Sequence, residues 1–156
     1  MIAVRPAREG DIPAILDLLV QVNMVHHSIR PDLFRGPAVK YAAGDLLLLF
    51  QDPDSPVFVA VDESGAVAGH CFCQLQQRSD AIFTDARTLY IDDICVDERV
   101  RGRGVGRALY EHALAFARRS GCYNVTLNVW QGNDAAMAFY RNLGMSTQRI
   151  TMEQIL

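Results

Sequence analysis

Residues 89–116 constrain the fold more than any other part of the chain, because they read in turn as a strand, a glycine-rich loop and a helix. In the run from Tyr90 to Val96, five of the seven residues are apolar or β-prone, which predicts a strand that a sheet must cover. After the loop, apolar residues recur at spacings of three and four, which predicts a helix: Val105, Ala108, Leu109, Ala113 and Phe116. Between strand and helix, three glycines remove side chains that would keep a ligand from the backbone: Gly102, Gly104 and Gly106. Free N–H groups at a helix N-terminus favour an anion, and we expect a phosphate or pyrophosphate.

A dinucleotide-binding loop is the first alternative to test. That fingerprint, G-x-G-x-x-G, follows a strand and is matched by an acidic residue at the end of the next strand, about 20 residues on. Counting from Gly102 or Gly104, the third glycine position holds Arg107 or Leu109, and the following run VTLNVW contains no acidic residue. The sequence therefore does not predict a dinucleotide site.

A different signature fits the loop. R-x-x-G-x-G is typical of acyl-CoA-binding acetyltransferases, and here it is formed by Arg101, Gly104 and Gly106. A later block, WQGNDAAMAFYRNLGM, resembles a second motif of the same proteins, with Asn133 and Tyr140 at the matching positions. On these two blocks the chain resembles the GNAT N-acetyltransferase superfamily. The short segments IDDICV and AFYRNLG are most similar to the polyamine and thialysine acetyltransferases.

Length and composition limit the alternatives. A chain of 156 residues, 50% hydrophobic and 21% charged, is most simply one globular domain spanning residues 1–156. The formal charge of −3 argues against a nucleic-acid partner. We expect no membrane partner and a cytoplasmic location, because no apolar run of membrane-spanning length and no signal peptide is apparent. The cysteines show no C-x-x-C spacing, so we expect reduced thiols and no metal: Cys71, Cys73, Cys95 and Cys122.

The rest of the chain predicts an α/β fold around a mixed sheet. Strands are predicted at residues 2–5, 57–61, 67–75, 86–96, 125–130 and 146–153, and helices at 12–23, 39–50, 105–119 and 134–143. The order is β-α-α-β-β-β-α-β-α-β. Hairpin strands are antiparallel and the glycine-loop crossover requires a parallel neighbour, so helices should cover both faces. The resemblance implies that the sheet splays open between the central strand and the strand that follows it.

The resemblance also implies that acetyl-CoA binds in this splay as a co-substrate. Its pantetheine arm would pair with the backbone near Ile94, Cys95 and Val96. Its pyrophosphate would bind the N–H groups and arginine side chains of the loop: Arg101, Gly102, Arg103, Gly104, Val105, Gly106 and Arg107. Asn133 would hydrogen-bond to the cofactor or cap the last helix, and the two roles are compatible.

Acetyl transfer to an amine needs a base, because an alkylamine with a pKa of about 10 is protonated near neutral pH. Asp92 is the candidate, directly or through water. Some GNAT proteins place a glutamate at the position of Asn128, whose amide cannot accept this proton. Side chains alternate along a strand, so only one of Asp92 and Asp93 should face the cleft. The alternative is that both acids only bind neighbouring backbone or arginine groups.

Tyr140 occupies the general-acid position of the GNAT proteins. A phenol with a pKa of about 10 stays protonated near a thiol with a pKa of about 8.5, so Tyr140 would donate to the leaving thiolate. The alternative is a half-buried aromatic residue beside Phe139. A backbone N–H near Cys95 or Val96 would stabilise the oxyanion. The histidines are predicted to have no chemical role: His26, His27, His70 and His112.

The main functional hypothesis is an acetyl-CoA-dependent N-acetyltransferase that acts on a primary amine of a small molecule, by direct attack in a ternary complex. One alternative is acetylation of protein N-termini or lysines. Another is a CoA-binding regulatory module without turnover. By analogy with other GNAT proteins, we expect a homodimer.

Overall fold

The computed structural model describes residues 1–156, and its five strands form one sheet in chain order. The strands are β1 (Ala3–Pro6), β2 (Val57–Val61), β3 (Val67–Gln77), β4 (Arg87–Val96) and β5 (Asn124–Leu127). The helices are α1 (Ile12–Ile29), α2 (Ala43–Gln51), α3 (Val105–Arg119) and α4 (Asp134–Asn142). The first four strands pair antiparallel, and β5 runs parallel to β4. The predicted α/β class with a mixed sheet is confirmed.

Each face of the sheet carries its own apolar core, because side chains alternate along the strands. Phe58 and Ala60 of β2 lie in the core under α3, whereas Val57, Val59 and Val61 lie in the core under α1 and α2. Helices therefore cover both faces, as predicted.

Helix α1 extends beyond its predicted end, and Ile15, Leu18 and Leu19 are buried on it. With the turn before it, the segment Glu9–Ile29 is long and apolar enough to cross a membrane by length and composition, contrary to the expectation from sequence. The core helix of a globular domain meets the same criterion. Here Ile15 and Leu19 pack against the sheet.

Strands β4 and β5 pair over a short length. Thr88 pairs with Asn124 and Ile91 with Leu127, where β5 ends, earlier than predicted. Strand β4 continues to Val96. Residues 92–96 therefore have no partner strand on the side away from β3, which confirms the predicted splay.

The strand predicted at residues 146–153 is not formed. Gly144, with a φ of +95°, follows α4, and residues 146–156 then form an extended arm without a single backbone hydrogen bond. Arg30 binds Glu153 in this arm. A strand needs an unpaired edge as its partner, and this C-terminal arm (residues 146–156) meets none within its own chain.

Candidate active site

The glycine loop (residues 101–106) presents a row of unpaired N–H groups. Gly102 and Gly104 have φ angles of +78° and +80°, which residues with a Cβ rarely adopt. None of the seven N–H groups of residues 101–107 has an acceptor in the chain, and Ala108 is the first to donate, to the Gly104 oxygen at 3.0 Å. The dipole of α3 adds positive potential at this end of the helix. The loop is therefore a candidate anion site, and its binding of a pyrophosphate stays a prediction.

Gly106 has a packing role. A Cβ at this position would lie 3.1 Å from Cζ of Phe139 and 3.5 Å from Cγ2 of Val96. The start of α3, the end of β4 and α4 therefore approach one another closely here. This contact joins the anion site to the helix that carries Tyr140.

The arginines of this region differ in how far they are engaged. Arg99 contacts Asp97 at 2.5 to 3.1 Å, and these hydrogen bonds lower the pKa of Asp97 to about 2. The guanidinium of Arg99 is thus engaged within the chain and is less free to bind a phosphate. Nε of Arg101 donates to the backbone oxygen of Val96 at 3.3 Å. Nη1 of Arg107 lies 3.5 Å from Oε1 of Glu111, one turn along α3. Arg103 makes no ion pair and remains exposed.

A β-bulge in β4 brings both aspartates to one face of the sheet. Ile91 pairs with Cys73 and Asp93 pairs with Phe72, so Asp92 is an extra residue in the strand. A bulge interrupts the alternation of side chains. Asp92 and Asp93 both point to the α1 side of the sheet, where Phe72 lies. The prediction that only one of them faces the cleft is therefore wrong.

Lys40 binds the candidate base. Its Nζ lies 2.5 Å from Oδ2 of Asp92, and the side chains are 58% and 14% exposed, respectively. The ring of Tyr41 stacks on Phe72 with a centroid distance of 5.5 Å and lies 5.4 Å from the Lys40 Nζ. Burial lowers the pKa of Lys40, but the ion pair with Asp92 outweighs it and raises the pKa. Lys40 is thus held next to the bulge as an ammonium group.

Asp93 has a different partner. The Nε2 of His70, on β3, lies 2.5 Å from Oδ2 of Asp93, and His70 has no exposed surface. Its Nδ1 has no hydrogen-bond partner. The tautomer with the proton on Nε2 satisfies this contact. His70 therefore orients the second carboxylate from the interior of the sheet.

The unpaired end of β4 combines a buried side-chain layer with an open backbone edge. Ile94 and Val96 pack against the core under α3, while Cys95 faces α1 with its Sγ 3.4 Å from the Leu18 oxygen. Burial raises the pKa of Cys95 to about 12, so it remains a thiol. The backbone of residues 92–96 is thus the polar part of this edge that is open to a ligand.

Tyr140 lies half-buried on α4, with its ring centroid 6.3 Å from that of Tyr110 and 5.1 Å from that of Phe139. Burial raises the pKa of its phenol well above the ordinary value, and the nearby Cys71 and Asp93 raise it further. The hydroxyl is therefore protonated, as a proton donor must be. The packing role and the catalytic role of Tyr140 are compatible.

Two asparagines border the site. Oδ1 of Asn133 accepts from the Ala136 N–H at 3.2 Å, which confirms the predicted N-cap of α4. A hydrogen bond from Asn133 to acetyl-CoA stays a prediction. Just after β5, Nδ2 of Asn128 donates to the Tyr90 hydroxyl at 3.1 Å, so this amide is tied to a neighbouring side chain.

A cleft of about 1990 Å³ collects these groups. Its walls come from α1, the segment before α2, the open end of β4, the glycine loop, α4 and the C-terminal arm. Arg103 does not line it, but every other predicted site residue does: Asp92, Ile94, Cys95, Val96, Arg101, Gly102, Gly104, Val105, Gly106, Arg107, Asn133 and Tyr140. The candidate base, the candidate acid and the anion site therefore share one surface.

Residues 22–145 match the sequence profile of the acetyltransferase (GNAT) family, and this range contains both motif blocks. The chain belongs to the GNAT family. The resemblance seen in the sequence is thereby confirmed.

Relatives of this GNAT family member carry several names. Streptothricin acetyltransferase from Streptomyces lavendulae is 35% identical over 96 residues, which cover 62% of this chain and 47% of the relative. Peptidyl-lysine N-acetyltransferase YjaB from Escherichia coli (strain K12) is 36% identical over 92 residues, which cover 59% of this chain and 50% of the relative. The match thus spans about half the length of these relatives. Thialysine N-epsilon-acetyltransferase from Bos taurus is 25% identical over 154 residues, which cover 92% of this chain and 83% of the relative.

Solved structures share the fold of this chain. The crystal structure of a mutant of the BH1408 protein from Bacillus halodurans superimposes with a TM-score of 0.94 at 32% identity and covers 99% of each chain. The aminoglycoside acetyltransferase meta-AAC0020 from an uncultured soil metagenomic sample, in complex with sisomicin, superimposes with a TM-score of 0.75 at 19% identity and covers 99% of this chain and 96% of that one. These likenesses confirm the fold.

Two side chains near the cleft were missed by sequence reasoning. Lys40 lies where the sequence pattern is weakest, yet it is the only lysine of the chain, a signal that the sequence does contain. His70 was predicted as an ordinary strand residue. Its contact with Asp93 depends on the register of β3 and β4, which no local pattern encodes.

Proposed function

We propose that this acetyltransferase transfers the acetyl group of acetyl-CoA to a primary amine of a small molecule, by direct attack in a ternary complex. The observation that carries the proposal is the meeting in one cleft of six of the seven unpaired N–H donors, the unpaired edge of residues 92–96, Asp92 and Tyr140. The donor row fits a pyrophosphate, and the strand edge fits the amide groups of a pantetheine arm. The residues present therefore fit acetyl-CoA as co-substrate.

In this proposal the chain supplies proton transfers and no covalent nucleophile. Asp92 takes a proton from the acceptor amine, directly or through water, and Tyr140 donates toward the leaving sulfur. Cys95 is the thiol at the open edge, but it faces α1 and burial raises its pKa to about 12. Direct attack by the amine is therefore favoured over an acyl-enzyme.

The two carboxylates on one face favour a cationic acceptor, because each attracts an ammonium group. A lysine side chain of a peptide presents the same group. The Escherichia coli relative is named a peptidyl-lysine N-acetyltransferase, so a peptide acceptor is the second candidate. A CoA-binding module without turnover is the third.

The test is thiol release from acetyl-CoA with purified protein and a panel of polyamines, amino acids, aminoglycosides and lysine peptides. Thermal unfolding with and without acetyl-CoA is recorded in parallel. We expect thermal protection, about 2.7 kcal/mol at a hundredfold excess over Kd, and thiol release that depends on the amine. Protection without release from any amine would favour the binding module. Absence of protection would contradict the anion site.

We also propose that two copies of the chain form a homodimer through the C-terminal arm. The arm is extended, has no backbone hydrogen bonds, and exposes Ile150 and Met152 by 75% and 85%. Strand β5 ends the sheet with an unpaired edge. In this proposal the unpaired arm of one copy pairs with the unpaired β5 edge of another copy.

A further inference from the structure

The only lysine of the chain lies against the carboxylate that we propose as base. Among the lysine and arginine side chains, Lys40 alone carries a primary amine. Its Nζ is 2.5 Å from the Asp92 Oδ2, inside the cleft. A primary alkylamine bound to the base at the open end of β4 has the arrangement that an acceptor substrate requires.

The backbone of Lys40 is held in place, whereas its side chain is free to move. Its backbone is anchored by Tyr41, which stacks on Phe72, while its side chain is 58% exposed. The charged or titratable groups around its Nζ are Asp92, Tyr41 and, on the same sheet face, Asp93 with its partner His70. No arginine competes with Lys40 for the Asp92 carboxylate. The ammonium of Lys40 thus occupies the place that an external amine would need.

We propose that Lys40 is an internal acceptor, which the enzyme acetylates from acetyl-CoA when no external amine is bound. This inference rests on the proposed function. The Lys40 ammonium gives a proton to Asp92, and the neutral Nζ forms a C–N bond with the acetyl carbon. The C–S bond of the thioester breaks, and the thiolate takes a proton from Tyr140 or from water. The bonded nitrogen releases its second proton, which restores that donor, and the amide keeps the third. The products are Nε-acetyl-Lys40 and CoA, without any redox step.

Acetylation of Lys40 changes the cleft. The acetylated side chain is neutral and no longer pairs with Asp92, so the carboxylate becomes free for an external ammonium group. Before acetylation, an external amine has to displace Lys40. An ion pair with one exposed partner is weak, so removal of the Lys40 charge should lower the KM for the amine by about two- to fivefold. Lys40 is then a modification site that opens the acceptor site.

The chain contains an internal control for spontaneous acetylation. The α-amino group of Met1 also pairs with a carboxylate, that of Glu63 at 2.6 Å, but at the β1 end of the sheet, away from the cleft. An α-amine has a pKa of about 8 and a lysine of about 10.4, so the uncatalysed reaction favours Met1. Faster acetylation of Lys40 than of Met1 therefore reports catalysis.

The experiment incubates the full chain with trideuterated acetyl-CoA and no amine, and quantifies labelled Lys40 and Met1 by peptide mass spectrometry over time. We expect Lys40 to be labelled at least about tenfold faster than Met1, up to one acetyl group per chain, at a rate independent of protein concentration. In Asp92→Asn the labelling of Lys40 should fall to the rate of Met1. Equal labelling of the two amines in the parent protein would overturn the proposal.

Two substitutions separate the parts of the proposal. Lys40→Arg keeps the charge and cannot accept an acetyl group in this reaction, and its guanidinium can pair with Asp92, so its KM for an external amine should not fall below that of the unlabelled parent. Lys40→Gln resembles the acetylated side chain and should show the lower KM of the labelled parent. A KM that does not differ between these variants would overturn the opening of the site by acetylation.

The failure of this inference differs from failure of the proposed function. If external amines are acetylated while Lys40 is labelled no faster than Met1, the internal acceptor is wrong and the enzyme remains. If acetyl-CoA neither protects the protein nor labels any amine, the proposed function fails and the inference fails with it.

Discussion

The Asp92 side chain determines how acetyl transfer should depend on pH. Asp92→Asn removes the base but keeps its shape, so we expect kcat/KM near neutral pH to fall by about 10²- to 10⁴-fold. Without a base, turnover relies on acceptor amine that has already lost its proton. That fraction rises about tenfold per pH unit below an amine pKa of about 10. The deficit should therefore narrow as pH rises, which a pH–rate profile measures.

Asp93→Asn is the matched control, because Asp93 lies on the same face but is held by His70. It should lower the Tm, since a buried hydrogen bond is weakened, and keep the pH slope of the parent enzyme. A loss in Asp92→Asn that is equal at every pH would contradict its role as base.

The Tyr140 hydroxyl should act on turnover and not on binding. We expect Tyr140→Phe to lower kcat by about 10²-fold, the low end for a positioned acid, because a thiolate also leaves without full protonation. Calorimetry should show unchanged affinity for acetyl-CoA. Tyr110→Phe, whose ring is 6.3 Å away, is the control and should keep its kcat. Because burial raises the phenol pKa, Tyr140 should cause no fall in kcat below about pH 10. An unchanged kcat would remove Tyr140 from the mechanism.

At the residue scale, the sequence predicts which side chains are candidates for catalysis better than it predicts the face of the sheet to which they point. Asp92 and Tyr140 follow from motifs, and both line the cleft. The bulge that turns Asp92 to the same face as Asp93 could not be predicted, because it depends on how β4 pairs with β3. Alternation is a property of a regular strand, and one extra residue reverses it.

At the element scale, the glycine loop depends on its backbone conformation. Ala at position 104 would have to adopt a φ near +80°, which costs about 1–2 kcal/mol for a residue with a Cβ. A loop that relaxes to relieve this strain has to return to the strained conformation before it binds a pyrophosphate. We therefore expect Gly104→Ala to weaken acetyl-CoA binding by about tenfold, measured by calorimetry.

Gly65→Ala is a close match for this change. Gly65 has a φ of +85°, an added Cβ would meet no atom within 4 Å at either position, and it lies in the turn between β2 and β3. Gly65→Ala should lower the Tm by about as much as Gly104→Ala does and leave the affinity for acetyl-CoA unchanged. An equal loss of affinity in both variants would mean that the loop has no specific role.

Elements with a strong apolar period were predicted well, whereas those that depend on distant partners were not. Helix α3 and strand β4 carry their periods in the sequence, and both form within a residue or two of their predicted bounds. Helix α2 begins at Ala43 instead of Val39, with Gly44 in its first turn. The strand predicted at 146–153 is absent because strand formation depends on an edge to pair with, which local pattern does not encode.

At the scale of the whole molecule, the sheet has an end that a single chain leaves unpaired. Strand β5 is bonded to β4 only, and the C-terminal arm is bonded to no strand. The arm also lines the cleft, so whatever pairs with it shapes the acceptor site. A homodimer would therefore connect assembly to substrate choice.

Arm pairing makes a specific prediction about successive backbone N–H groups. In a strand these groups point to opposite sides, so a strand paired on one side uses every second one. Proline removes an N–H group. If the arm pairs with one edge of a second copy, only one of Ile150→Pro and Thr151→Pro should weaken the dimer strongly. Light scattering should then report twice the 17.3 kDa mass of the chain for the parent and a shift toward that mass for the sensitive variant. A parent protein that stays at 17.3 kDa at all concentrations would contradict the dimer.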